Sequence, residues 1–353
     1  MARSRRVSAR GRTTETETEP IIHLAARIED SFHRFREKRA RKRGLTPVVI
    51  AYTGYGAPGW SRVLCRVLLA KPGAEDVRYK KIRGWRSFTS VPVNDVAVTV
   101  TIGDVEQVVT ADRGGVVDEV LTCDLTPGWH TITLRTEDSA PVEAPVFIVD
   151  PAVRFGMISD VDDTVMVTAL PRPLLAAWNT FVLDEHARRP VPGMGVLYER
   201  LLRAHPGAPV IYLSTGAWNV APTLSRFLSR NLFPAGPLLL TDWGPTHDRW
   251  FRSGQAHKAE SLARLAGEFP NIRWLLIGDD GQHDESLYDT FASECLPSVE
   301  AVAIRQLSNS EAVLAGGRSR AEEQGEKHGI RWIYGPDGAS LADQLSEAGI
   351  LAP

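Results

Sequence analysis

The chain has 353 residues, enough for two domains of the common size of ~100–200 residues. Hydrophobic residues make up 43% of it and charged residues 24%, which excludes a disordered or fibrous class for most of the chain. No apolar run reaches the roughly 18 residues of a membrane-spanning helix, and the basic start has no apolar core of a secretory signal behind it. We therefore predict a cytoplasmic protein, whose three cysteines form neither a metal cluster nor a disulfide framework.

The net charge of −2 conceals a basic N-terminal arm. Residues 1–44 hold thirteen Arg or Lys against six Asp or Glu, so the remaining chain carries a net charge of −9. A basic arm on an acidic body can contact anionic lipid or nucleic acid. We predict no nucleic-acid partner, and the low apolar content of residues 1–20 predicts a disordered basic tail.

A basic amphipathic helix is predicted over residues 21–44. Apolar residues recur at spacings of three and four from Ile21 to Phe35, the opposite face is basic, and Gly44 ends the run. Residues 21–43 could lie on an anionic membrane surface, which would make the protein peripheral, or the apolar stripe could pack on the protein body. The pattern leaves both readings open.

Residues 45–150 are predicted to form β-structure. Short runs rich in Val, Ile and Thr are separated by Gly, Pro, Asp and Asn: PVVIAYT, RVLCRVLLA, DVAVTVTI, EQVVTAD, HTITLR and PVFIVDP. No crossover helices fit between them, so we predict an antiparallel β-sandwich domain of Ig-like size. It carries no group of chemically active residues, and we interpret it as a packing or binding module.

Residues 151–353 are predicted to form an α/β domain. Apolar strands such as RFGMIS, PVIYLS, PLLLTDW and RWLLIG alternate with helical stretches such as LYERLLRAH and AESLARLAGEF. This alternation predicts a Rossmann-like parallel sheet with helices on both faces, plus a small cap or flap around residues 165–192. In such sheets the chemistry gathers beyond the carboxyl ends of the strands.

The first of these strands runs into the acidic segment Asp160-Val161-Asp162-Asp163-Thr164. Asp160 and Asp162 point the same way in an extended segment. Two adjacent carboxylates need a cation or a shared proton to be stable, and Mg²⁺ prefers such oxygen ligands. An exposed acidic turn is the alternative reading.

A hydroxyl and a cation follow further along the chain. The run PVIYLS ends in Ser214, and Thr215 and Gly216 follow it; at this place a hydroxyl can donate to a phosphoryl oxygen or cap a helix. Lys258 is predicted to open the helix KAESLARLAGEF. A cation is unfavourable at a helix start, which suggests that Lys258 neutralises an anion there.

A second acidic group follows the strand RWLLIG. Asp279, Asp280 and Asp284 lie within six residues at the end of a buried strand, which again indicates a cation. With Asp160 they predict an acidic cluster at one edge of the sheet. Arg305, at the end of the VAIRQL strand, is interpreted as part of a structural ion pair.

The order of these features resembles the four-motif signature of the haloacid dehalogenase superfamily. Paired Asp, hydroxyl, Lys and acidic cluster occur in that sequence, and D-x-D-x-T is the form of its phosphatases. The blocks ISDVDDTV, LSTGAWNVAPTLSRFL, FPAGPLLLTDWG, HKAESLARLAGEFP, LIGDDGQHDESLY and VAIRQL are similar to the catalytic domain of the actin-patch phosphatidate phosphatase family. The resemblance covers about residues 153–310.

This resemblance implies an Mg²⁺-dependent phosphatase with an aspartyl-phosphate intermediate. Asp160 would be the nucleophile, Asp162 the acid and base, and Ser214 and Lys258 the groups that bind the phosphoryl oxygens. The Mg²⁺ would be held by Asp160, the backbone carbonyl of Asp162, and Asp279. Supporting roles would fall to Thr164, Asp280 and Asp284.

Substrate contacts are harder to assign from sequence. Candidates lie in the cap, in the loop before Lys258 and after the second strand: Trp178, Arg249, Arg252, Thr215 and Gly216. The favoured substrate is phosphatidate, which would give diacylglycerol. A soluble phosphomonoester or a phosphoprotein is the alternative, as is a lipid- or protein-binding module with a residual phosphatase domain. The sequence gives no oligomeric state.

Overall fold

The computed structural model describes residues 35–70, 91–167, 189–241, 247–281, 283–314 and 325–352. Within these residues the strands form one nine-stranded sheet, one seven-stranded sheet and a two-stranded ribbon. None of the described helices is both long and apolar enough to cross a membrane. Cys65, Cys123 and Cys295 are all free thiols.

The nine-stranded sheet makes up the N-terminal β region. Its strands are β1 (Thr46–Ala51), β2 (Gly54–Ala57), β3 (Gly59–Ala70), β4 (Val91–Pro92), β5 (Ala97–Ile102), β6 (Val105–Thr110), β7 (Val116–Cys123), β8 (Gly128–Arg135) and β9 (Val142–Ile148). The order is β1-β3-β2-β9-β8-β5-β6, with β4 and β7 also paired to β3. The prediction of a β region is thus confirmed, while the two-sheet sandwich stays a prediction, because backbone pairing links all nine strands.

The predicted antiparallel pairing is wrong at one place. β2 pairs with β9 in parallel, with Tyr55 opposite Phe147. The same strand turns back tightly onto β3, and a Cβ on Gly56 would lie 2.3 Å from the Trp60 carbonyl oxygen. Gly56 therefore permits a close approach of β2 to β3 that a side chain would prevent. The alternation of residues along β2 does not show that this strand runs parallel to β9.

The seven-stranded sheet makes up the C-terminal α/β region. Its strands are β10 (Phe155–Asp160), β13 (Val210–Ala217), β14 (Leu238–Thr241), β15 (Arg273–Asp279), β16 (Val299–Arg305), β17 (Gly325–Lys327) and β18 (Ile330–Gly335). They lie in the order β14-β13-β10-β15-β16-β18-β17. All neighbours are parallel except β17, an antiparallel edge strand that the sequence did not predict.

This strand order fixes where a site can form. From β10 the chain moves outward to β13 and β14, and then returns to build β15, β16 and β18 on the other side. The order matches that of doubly wound α/β sheets, in which ligands bind at the carboxyl ends of the strands where the winding reverses. Here that point lies between β10 and β15.

In the described part of this region, six helices accompany the sheet: α1 (Met194–Ala204), α2 (Ala221–Arg230), α3 (His247–Glu268), α4 (Asp284–Glu294), α5 (Asn309–Leu314) and α6 (Gly338–Glu347). Short 3₁₀ turns cover Trp218–Val220 and Leu296–Ser298. The ribbon pairs β11 (Met166–Val167) with β12 (Arg189–Pro190) and thereby brackets the predicted cap. The rest of that cap lies outside the described residues.

Part of the basic N-terminal helix is described. Residues 35–42 are helical, and the remainder of the predicted helix, like the tail at residues 1–20, lies outside the described range. Ala40 is buried and contributes to the core of the β region, whereas Phe35 is 62% exposed. The membrane and packing readings both remain predictions.

Part of the β region shares a hydrophobic core with the α/β region. Tyr52, Tyr55 and Leu64 of the β region belong to the same buried cluster as the strands of the seven-stranded sheet. The domain boundary at residue 150 stays a prediction, but the shared core means that the β region is packed firmly against the α/β region.

Candidate active site

The site is centred on Asp160, the last residue of β10. Its side chain is buried, and Oδ1 accepts a hydrogen bond from Lys258 Nζ at 2.7 Å. Below it, the Ser159 hydroxyl lies 2.6 Å from the Asp160 carbonyl oxygen and 2.6 Å from the Tyr198 hydroxyl on α1. The backbone that carries Asp160 is therefore fixed from within the core.

Lys258 bridges two carboxylates. Its Nζ lies 2.7 Å from Asp160 Oδ1 and 2.7 Å from Asp284 Oδ1. The prediction that Lys258 opens a helix is wrong, because α3 begins at His247 and Lys258 lies in its interior. The loop predicted before Lys258 is instead the first half of α3, and a Cβ on Gly254 there would come within 3.0 Å of the Thr215 methyl group. The glycine allows the helix to continue while passing close to the Ser214 segment.

Two glycines make room for the acidic groups after β15. A Cβ on Gly278 would lie 2.8 Å from Asp284 Oδ2, and one on Gly281 would lie 2.3 Å from Asp279 Oδ1. Asp279 Oδ1 also accepts a hydrogen bond from the Gly281 amide at 2.6 Å. Gly278 and Gly281 thus leave room for the carboxylates of Asp284 and Asp279 at the edge of the sheet, beside Asp160.

These carboxylates converge on one point. Single oxygen atoms of Asp160, Asp279 and Asp284 all lie within 4.8 Å of one another. Asp160 Oδ2 and Asp284 Oδ2 are buried and have no hydrogen-bond partner among the described residues. Oxygen atoms in this arrangement suit a hard divalent cation such as Mg²⁺. The predicted acidic cluster therefore forms, and an oxygen of Asp284 lies in it beside those of Asp160 and Asp279.

Burial dominates the electrostatics of the cluster. It raises the pKa of Asp160 well above its usual range; Lys258 opposes the rise, and Asp284 and Asp162 add to it. Burial likewise raises the pKa of Asp279, and the charge of Asp284 adds to this. For Lys258, burial alone would lower the pKa, but the two carboxylates raise it by more, so the ammonium stays charged. A bound cation would restore the ionised carboxylates.

Ser214 lies on the other side of Asp160, near the end of β13. Its hydroxyl donates to Asp162 Oδ2 at 3.1 Å and accepts from the Gly216 amide at 3.0 Å. Thr241 Oγ1 lies 2.9 Å from the Thr215 carbonyl oxygen, which it can hydrogen-bond. These bonds hold the segment beside the paired aspartates.

The turn that carries Asp162 is held by a buried arginine. Asp163 has a left-handed φ of 57°, a conformation that Asp tolerates better than most residues. Its carbonyl accepts a hydrogen bond from Arg305 Nη1 at 2.7 Å, while Arg305 Nη2 pairs with Glu311 at 2.7 Å. Arg305, at the end of β16, thus supports the aspartate turn. The sequence does not predict this contact, because Arg305 and Asp163 lie far apart along the chain.

The remaining predicted residues fall outside this convergence. Asp280 Oδ1 accepts from the Leu307 amide at 2.8 Å, which orders the segment after β16. Thr164 is fully buried next to the aspartate turn. Arg249 and Arg252 lie within α3 rather than in a loop, and their side chains are outside the described part of the structure. Trp178 also lies outside the described residues.

Comparison with known proteins identifies the region that contains this site. Residues 155–306 match the family model described as "Phosphatidate phosphatase APP1, catalytic domain". The predicted resemblance to the actin-patch phosphatidate phosphatase catalytic domain is confirmed, and the match spans β10 through β16 and includes every residue of the convergent cluster.

Two curated relatives are similar to the chain. "Phosphatidate phosphatase APP1" of Saccharomyces cerevisiae is 28% identical over 250 residues, which is 67% of this chain and 42% of that protein. "Uncharacterized protein C29B5.04c" of Schizosaccharomyces pombe is 25% identical over 143 residues, which is 40% of this chain and 23% of that protein. The chain thus spans less than half the length of these relatives.

Similarity to solved structures is low. A carbohydrate acetylesterase from Xanthomonas citri aligns at 12% identity with a TM-score of 0.28, covering 74% of this chain and 69% of the other. A TM-score of 0.28 indicates neither a shared fold nor a shared chemistry.

Proposed function

We propose that the chain is an Mg²⁺-dependent phosphoric monoester hydrolase of the haloacid dehalogenase type. The observation that carries this proposal is the convergence of Asp160, Asp279 and Asp284 within 4.8 Å, with Lys258 bonded to two of them. The site lies at the carboxyl edge of the sheet, where the winding reverses. A divalent cation held by these carboxylates would screen their charge from an incoming phosphate and stabilise charge on the phosphoryl oxygens.

In the proposed mechanism, residues at the site supply the groups for both chemical steps. An oxygen of Asp160 attacks phosphorus, and the bond from phosphorus to the leaving oxygen breaks as protonated Asp162 gives its proton to that oxygen. Asp162 then takes a proton from water, whose oxygen attacks the phosphorus and releases Asp160. Lys258 and Ser214 bind phosphoryl oxygens as the negative charge redistributes.

We propose phosphatidate as the substrate, with diacylglycerol as the organic product. The similarity of residues 155–306 to the APP1 catalytic domain, and the activity named for the yeast relative, support this choice. The complete set Asp160, Asp162, Ser214, Lys258 and Asp279 supports an active enzyme rather than a binding module with a residual domain. The exposed basic residues of the helix at 35–42 are compatible with contact with an anionic membrane.

The test is phosphate release from a panel of phosphate esters. Phosphatidate in mixed micelles, a sugar phosphate and a phosphopeptide are each assayed with Mg²⁺ and with EDTA. We expect release from phosphatidate that requires Mg²⁺ and that Asp160→Asn abolishes. Asp163→Asn is the matched control, because it changes an aspartate of the same turn to a residue that tolerates its left-handed φ. Turnover of only the soluble esters would refute phosphatidate as the substrate but not the phosphatase chemistry. The absence of phosphate release from every ester would refute the proposal that the chain is a phosphatase.

A further inference from the structure

The β region contacts the segment that carries Ser214. The Tyr52 ring stacks on the Trp218 ring, with centroids 4.8 Å apart and an angle of 21° between the planes. The Tyr52 hydroxyl also donates to the Trp218 carbonyl oxygen at 3.2 Å. Both side chains are buried, at 7% and 5% exposure. This contact joins residues that are 166 positions apart in the chain.

Trp218 lies only four residues beyond Ser214, and the residues between them are bonded to their surroundings. The Gly216 amide donates to Ser214 Oγ, and Thr241 Oγ1 lies within hydrogen-bond distance of the Thr215 and Gly216 carbonyl oxygens. A displacement of Trp218 would therefore be transmitted to Ser214. The Ser214 hydroxyl, in turn, donates to Asp162.

The β region also holds the helix that carries Lys258. At the end of α3, Glu268 Oε1 lies 2.6 Å from Arg62 Nη2, and Glu268 Oε2 accepts from the Tyr55 hydroxyl at 2.8 Å. One turn earlier, Arg264 pairs with Asp118 of β7 at 3.0 Å. The two segments that supply cationic and hydroxyl groups to the site are thus both anchored on the β region.

We propose that the β region is a brace for the catalytic centre and that Tyr52 is its positioning residue for Ser214. Tyr52 acts through Trp218: the ring stack and the hydrogen bond fix the point at which β13 turns into the following 3₁₀ turn. Ser214 is then held in reach of a phosphoryl oxygen. The activity readout of this inference rests on the proposed phosphatase function.

The experiment is a double-mutant cycle between Tyr52 and Ser214. Tyr52→Leu retains apolar bulk but removes the stack and the hydroxyl, Tyr52→Phe retains the stack, and Ser214→Ala removes the positioned group. Val100→Ala is the control, because Val100 is fully buried in the β region but belongs to a separate core cluster. Should Tyr52→Leu fail to fold, Trp218→Leu removes the same stack from the other side.

We expect Tyr52→Leu to lower kcat about tenfold with little change in KM, since a small misplacement of a catalytic group is costly. Tyr52→Phe should restore most of the rate, and Val100→Ala should lower thermal stability without this loss of kcat. In the Ser214→Ala background, Tyr52→Leu should cause less than about a twofold further loss. Losses that multiply in the double variant would overturn the role of Tyr52.

A second readout does not depend on activity. Hydrogen exchange of the backbone amides at 214–220 should accelerate in Tyr52→Leu but not in Val100→Ala. Unchanged exchange in Tyr52→Leu would overturn the brace. If the wild-type protein released no phosphate from any ester, the proposed function would fail, and the exchange measurement alone would decide the positioning role.

Discussion

Lys258 Nζ lies 2.7 Å from Asp160 Oδ1, although the two residues are 98 positions apart. One comes from the interior of a helix and the other from the end of a strand. In a buried site this ammonium orients one oxygen of Asp160 and opposes the rise in its pKa, while the other oxygen has no hydrogen-bond partner among the described residues. The pair therefore orients a carboxylate toward the remaining acidic groups.

Removal of the Lys258 charge should affect both activity and stability. Lys258→Met leaves Asp160 and Asp284 without their cation, and loss of one partner from a buried ion pair costs about 3–5 kcal/mol. We expect urea unfolding at pH 7 in EDTA to show a loss of that size, together with at least a roughly hundredfold fall in phosphate release.

The stability deficit of Lys258→Met should shrink as the pH is lowered. Burial raises the pKa of Asp160 and of Asp279, so these two carboxylates take up protons more readily in the folded than in the unfolded protein, and acid relieves the repulsion in the cluster. Lys38→Met serves as the control, because Lys38 is exposed. Equal unfolding free energies for Lys258→Met and wild type would show that the bridge does not stabilise the site.

Mg²⁺ should stabilise the folded protein through the same cluster. A ligand at one hundred times its Kd adds about 2.7 kcal/mol to the unfolding free energy, and thermal melting with Mg²⁺ and with EDTA measures this shift. Asp279→Asn should lose most of the shift. Asp280→Asn should retain it, since Asp280 Oδ1 accepts a backbone hydrogen bond from Leu307 that an amide oxygen can also accept. Equal shifts in the two variants would argue against a cation at this position.

His257 should make stability pH-dependent. Burial lowers its pKa below the usual value, and its Nε2 has no hydrogen-bond partner among the described residues. Below about pH 6.5 the unfolded chain takes a proton that the folded chain resists, so this residue lowers stability as the pH falls. We expect His257→Gln to lose less stability than wild type between pH 7 and pH 5 in urea titrations. Parallel curves would exclude this contribution.

Strand ends were predictable from sequence because buried parallel strands leave a clear apolar pattern. Asp160, Ser214 and Asp279 each follow such a run, and the structure brings all three to one edge of the sheet. Gly278 and Gly281 can be read from the sequence, but their function depends on their distances from the neighbouring side chains. Only the folded chain shows that they leave room for Asp279 and Asp284.

Other features could not be obtained from one sequence. The residues before Lys258 were predicted as a loop, whereas α3 continues through them and Gly254 lies close to Thr215. The Tyr52–Trp218 stack joins the β region to the α/β region. Hydrophobic periodicity predicts the elements within each region but not a contact between the two. The β region consequently looked like an independent module, although it shares a core with the α/β region.

The most direct test of the central claim is transfer of label from substrate to Asp160. The enzyme is mixed with ³²P-labelled phosphatidate and Mg²⁺, quenched in acid, digested and mapped. We expect acid-stable label on the peptide that contains Asp160, and neither label nor phosphate release in Asp160→Asn. Label on another residue, or undiminished turnover by Asp160→Asn, would contradict the account.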